Sequence, residues 1–263
     1  MKKTLVALAL ATTTVSGSAM AWTANGTGGS LELRGTLSPL ANVNPWEVLV
    51  GAAVANLNAQ IDKGVKTVDV PVKNAIPVLG IRTQTNQAFP GAPGIAPMID
   101  FKGAIDPTKF VQGVTPLTLD VKDSTDTKIG TLTTDFGSAA QGSVTGIPNF
   151  TDRYTQMTSS ATQVAAFNGG LGTDSNAAFL GSAGQAFLNN LSPEFLANID
   201  PQGMTFDETT SFSADFDTSY GFYSAAYGSG IEAGKVMKLT LDAPATGNAI
   251  VWKASMPITV SYQ

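Results

Sequence analysis

Two carboxylic acids held a few ångströms apart can hydrolyse a glycosidic bond, one giving a proton and the other attacking or activating water. Asp120, Asp123 and Asp126 form the most compact acidic set in the chain. They lie in and beside Asp123-Ser124-Thr125-Asp126, between the alternating runs Leu117–Val121 and Lys128–Leu132. Aspartates at such a place normally accept hydrogen bonds from nearby backbone and shape a turn. The hairpin reading therefore takes precedence over a catalytic pair. The same run lacks the D-x-D-x-D-G order and late Glu of a calcium loop. Gly169-Gly170-Leu171-Gly172 has no following Lys-Ser/Thr, so it is no phosphate cradle. Tyr220, Phe222, Tyr223 and Tyr227 could stack on a sugar, but strand packing, with Phe222 opposite Tyr223, explains them more simply.

The 263-residue chain has no histidine and no cysteine. Nucleophile–base pairs that use Cys or His, and the Ser-His-Asp arrangement, are thus excluded, and zinc and copper lose their usual ligands. No enzyme activity, cofactor or metal site is expected. Net charge is −5 and 13% of residues are charged, which argues against nucleic-acid binding. Low charge with 27 glycines suits a protein that assembles rather than one kept apart by repulsion.

Lys2 and Lys3 precede the apolar run Leu5–Ala11 and the small-residue ending Ala19-Met20-Ala21. This pattern predicts a secretory signal peptide over residues 1–21. The run is too short to span a bilayer, and no later segment qualifies, so no mature membrane anchor is expected. From Trp46 the chain reads as β-rich, with strands at 46–50, 65–72, 76–82, 117–121, 128–132, 220–227 and 236–241, and a loop over 89–97. Spacing of this kind favours a sandwich or barrel. Between about 140 and 210 the composition shifts to Ala, Ser, Gly, Asn and Gln. Met157–Phe167 and Ala177–Leu191 are Ala-rich, and Ser192-Pro193-Glu194-Phe195 has the form of a helix start. A partly helical insertion is expected there.

The two ends carry the most specific pattern. Ile250, Trp252, Ala254, Met256, Ile258, Val260 and Tyr262 alternate with mostly polar residues, predicting one strand with an apolar face that runs to the terminus. Near the other end Leu31, Leu33, Gly35 and Leu37 alternate with Glu32, Arg34, Thr36 and Ser38 after the glycine-rich leash 22–30. A fold missing its last strand would open a groove beside the C-terminal strand. A neighbouring copy's N-terminal segment could fill it by β-strand addition. That head-to-tail contact does not close on itself and builds a fibre.

The residues that carry this pattern also carry a resemblance. The opening MKKTLVALAL with SGSAMAWT, the segment Leu31–Leu37, the stretch Ser224–Ile231 and the ending Trp252–Tyr262 resemble the FaeG/ClpG group of enterobacterial fimbrial subunits, most nearly ClpG. The resemblance is strong at both ends and weaker through 140–210. It implies a mostly β fold, an incomplete immunoglobulin-like β-sandwich completed by a donor strand, with an inserted partly helical subdomain. It divides the chain into a signal peptide (1–21), a donor-strand extension (22–38) and a pilin domain (39–263, insertion about 140–210). It implies a structural fimbrial subunit, exported through the periplasm to the bacterial surface, that supports adhesion to host cells. Its implied partners are identical or related subunits, a periplasmic chaperone, an outer-membrane usher and a host glycan. Leu31, Leu33, Gly35 and Leu37 match the donor segment, and Ile250 to Tyr262 match the groove-edge strand that the chaperone grips. The alternative is a minor or tip lectin-like subunit that binds glycans through the insertion. No sugar-binding residue carries over.

Overall fold

The computed structural model describes residues 33, 35, 44–161 and 164–263. Residues 1–40 and 41–263 are separate units, and the second is the subject here. The predicted signal peptide lies outside the described residues.

The strands, in chain order, are β1 (Trp46–Val50), β2 (Thr67–Pro71), β3 (Ile76–Thr83), β4 (Phe89–Pro90), β5 (Pro97–Asp100), β6 (Val114–Lys122), β7 (Lys128–Thr145) and β8 (Arg153–Met157). Helix α1 (Ser182–Leu191) and a 3₁₀ turn (Pro193–Leu196) follow. The last strands are β9 (Asp207–Phe212), β10 (Phe222–Ile231), β11 (Val236–Leu241), β12 (Lys253–Ala254) and β13 (Thr259–Tyr262). The protein is mostly β, with sheets that do not close into a barrel, as befits a sandwich.

The main sheet runs β1-β3-β10-β7-β11-β2. Its spine is β7, 18 residues long. The first half of β7 pairs with β6 and β11, and the second half with β10 and β8. One strand thereby serves both layers of the sandwich. The core between them is apolar and aromatic: Leu79, Ile81, Leu117, Phe136, Phe167, Phe216, Tyr223 and Tyr227 are fully buried. Trp46 joins it, its ring 5.2 Å from Phe89 and from Phe216, and its Nε1 donates to the Ile95 carbonyl.

Segment 137–144 of β7 is buried on both faces, because α1 covers the side away from the main core. Gly137 lies against Phe187, Gly80 against Phe195, and Gly228 against Phe195 and Leu188. These gaps, with Ala139, seat the apolar stripe Phe187, Leu188, Leu191 and Phe195 as a second small core. The predicted strand ended at 132 because the next inward position is the polar Thr134; beyond Phe136 the run is buried on both faces and shows no alternation, so its continuation to Thr145 left no period-two signal. Polar bonds close the rim. Thr83 Oγ1 donates to the Asn198 carbonyl, Asn198 Nδ2 donates to the Thr83 carbonyl, and Arg82 bonds Glu47 and Glu194.

Three local expectations need correction. The described residues of 157–167 form no helix: Met157 ends β8, and those after it up to Phe167 form no regular element. The loop over 89–97 contains the two-residue β4. The C-terminal run is not one strand. It divides into β12, which pairs with β6, and β13, which pairs with β5 in a separate two-stranded sheet. Residues 255–258 cross between the two sheets, and Pro257, lacking an N–H, suits a crossing without a ladder.

Candidate functional site

The alternation read from the C-terminal run survives in three dimensions. Trp252, Ala254, Met256, Ile258, Val260 and Tyr262 are half-buried, and each odd-numbered residue from Val251 to Gln263 is exposed. No even-numbered residue in this run is fully buried, and Ile250 is exposed. This apolar face rests on the core yet is left partly uncovered.

Beside it runs a groove of about 650 Å³. One wall is Ile250, Trp252, Ala254, Met256 and Ile258; the floor is Leu117, Leu119, Leu132, Ile231 and Met237; the facing wall is Val50–Ala59. The groove continues past Trp252 into a hollow of about 560 Å³ over Val68, Val70, Leu239 and Leu241. Val260 and Tyr262 do not line it; they pair opposite Ile99 and Pro97. The seven predicted wall residues therefore divide, five to the groove and two to the small sheet.

The facing wall was missed in the sequence. It follows β1 directly and is anchored by Gly51 N–H to Val78 O at one end and Gly64 N–H to Ala245 O at the other. Among the described residues, 52–61 make no backbone hydrogen bond with one another or with the rest of the domain. Yet Ala55, Leu57, Ala59 and Ile61 alternate with Asn56, Asn58, Gln60 and Asp62, and Leu57 and Ile61 pack on the core. This is a strand's side-chain pattern without a strand's ladder. Asn56, at φ 63°, turns this segment out of the extended conformation, so it is not one continuous strand. Two walls with unpaired backbone groups and an apolar floor between them have the chemistry to take up one more strand.

Leu31 and Leu37 of the predicted donor segment lie outside the described residues, and Leu33 and Gly35 belong to the other unit. The acidic set behaves as a surface turn. Asp123 Oδ1 accepts from the Thr125 hydroxyl and from the Thr125 and Thr127 amides, which holds its carboxyl below the usual range. Asp126, hydrogen-bonded and ion-paired to Lys253, is likewise lowered, and Asp120 pairs with Lys128. A catalytic acid needs the opposite shift. Tyr223 and Tyr227 are core residues, while Tyr220 and Phe222 are exposed. Tyr227 donates to the Gly170 carbonyl, and burial pushes its hydroxyl pKa up. The glycine run at 169–172 is thus a packing surface; a Cβ at Gly169 would lie 1.9 Å from Ile99 O. No helix among the described residues is long and apolar enough to cross a membrane.

The profile of a family described as "Fimbrial, major and minor subunit" matches residues 1–263. K88 fimbrial protein AB of Escherichia coli is 27% identical over 287 aligned residues, covering 100% of both chains. K88 fimbrial protein AD of the same organism is 30% identical over 55% of this chain and 56% of its own length. K88 fimbrial protein AC is 30% identical over 50% and 52%.

Proposed function

The chain belongs to the family of fimbrial major and minor subunits, and we propose that it polymerises by donor-strand exchange. It is a structural, non-enzymatic protein of extracellular fimbriae that assembles with related subunits. In the proposed joint, Leu31, Leu33, Gly35 and Leu37 of one copy enter the groove of the next. The strand lies between residues 51–59 and 250–258. The observation that carries this reading is the groove itself: two strand-patterned walls without a ladder between them, above an apolar floor.

Burying three leucines contributes about 1.5–3 kcal/mol each, and each ladder hydrogen bond adds about 0.5–1.5 kcal/mol. Before assembly, a periplasmic chaperone lends a strand to the same walls, and an outer-membrane usher exchanges it for the incoming N-terminal segment. The finished fibre supports adhesion to host cells.

Deleting residues 22–37 leaves a chain that accepts a donor but supplies none. Expressed alone it stays monomeric or chaperone-bound; co-expressed with the intact chain it caps growth and shortens fibres. Fibres of normal length built from the truncated chain alone, seen by electron microscopy, would overturn the proposal.

A further inference from the structure

Gly80, Gly137, Ala139 and Gly228 make the part of the sheet that meets Phe187, Leu188 and Phe195; beside them lies a polar pair. Gln141 of β7 and Gln156 of β8 are direct register partners, so their side chains leave the same face side by side. Both are completely buried. Tyr154 donates its hydroxyl to Gln141 Oε1 at 3.2 Å. Gln141 Nε2, Gln156 Oε1 and Gln156 Nε2 have no hydrogen-bond partner in the protein. Gly184 of α1 closes the site from above: a Cβ there would lie 2.4 Å from Gln156 Oε1 and 2.7 Å from its Nε2.

A primary amide carries two donor hydrogens and an oxygen with two acceptor lone pairs. Even if the two glutamines paired reciprocally, each Nε2 would keep one hydrogen without an acceptor. Buried donors left in that condition are costly, and folded proteins satisfy them with internal water. We propose that the Gln141–Gln156 pair binds ordered water beneath α1, the water oxygen accepting from the Nε2 groups of both side chains. The site also fixes register. Most of its surroundings are small side chains that specify pairing weakly, and a one-residue slip of β8 would turn Gln156 to the opposite face.

Water-edited solid-state NMR of the assembled full chain, with ¹⁵N-labelled glutamine side chains, tests this. The two buried amides are assigned by the signals lost in Q141L and Q156L. Both should receive magnetisation from water as fast as the exposed Gln87 amide, which lies away from the groove. Build-up as slow as that of the core backbone amide of Ala140 would overturn the proposal. Q156L should also slow transfer to Gln141 severalfold, whereas unchanged transfer would exclude a shared water. If Q156L fails to assemble, Q156M, closer in shape, provides the same comparison.

Discussion

Gly228 serves by having no side chain: a Cβ there would come 2.3 Å from the Phe195 ring and 2.6 Å from Leu188. Gly228→Ala should destabilise the domain by about 1–3 kcal/mol through overpacking, read as a lower denaturant midpoint with an unchanged slope. Gly35, read from the sequence as part of a donor segment, and Gly228, found against a ring, look alike in the chain. Only the neighbour across the gap separates their roles. Asp207 works through its acceptors. Its carboxylate takes hydrogen bonds from the Thr209 amide and from the Thr209 and Thr210 hydroxyls, which pulls its pKa down from 3.8 to about 2. The folded value is the depressed one, so this contribution is fully present above pH 4 and is lost as pH falls through 2. Melting temperature against pH should therefore decline between pH 4 and 2, and more shallowly in Asp207→Asn. Equal slopes for the two proteins would show that Asp207 contributes nothing there. The acidic turn was legible from Asp123 alone, because an aspartate's bonds to the next residues are local chemistry.

At the scale of elements, the C-terminal run teaches the most. Its alternation was legible because burial on one face imposes period two whether or not the run is a single strand. The break between β12 and β13 was not legible, because it depends on β6 and β5 lying in different sheets. The division yields different expectations for two substitutions. Met256→Asp places a charge in the groove wall, which the lent strand and the donor strand both use, and should cost chaperone co-purification and fibre formation together. Tyr262→Asp strikes the β13–β5 ladder outside the groove and should lower periplasmic yield, while the surviving subunit still co-purifies with the chaperone. Retained chaperone binding in the first, or its loss from the surviving subunit in the second, would mean that the two strands do not divide the work in this way. The helix over Ser182–Leu191 fell within an Ala-rich stretch that composition had marked, but the seat that it and the following 3₁₀ turn find on Gly80, Gly137 and Gly228 could not be foreseen. Glycines distant in sequence make one floor only after the strands pair.

Residues 41–263 form a sandwich with a groove between residues 51–59 and 250–258, so the stability of this domain should depend on what fills that groove. A synthetic peptide of residues 23–38, which leaves out Trp22 and so carries no tryptophan, added to the subunit lacking its own extension should raise the melting temperature with concentration. At 100 times its dissociation constant the gain is about 2.7 kcal/mol. Trp252, half-buried in the groove wall, should shift its emission to the blue as the groove fills, and Trp252→Phe should abolish that shift. A melting temperature indifferent to the peptide would mean that the groove is not its site. The sequence by itself determined the β-rich class, the apolar face over Ile250–Tyr262 and the improbability of histidine- or cysteine-based chemistry, because residue inventory and period-two burial are properties of the chain alone. The tertiary structure decided that five of those seven residues line a groove while two brace another sheet. It also supplied the facing wall at 51–59. A groove is a relation between segments nearly two hundred positions apart, and nothing in either segment records its distance from the other.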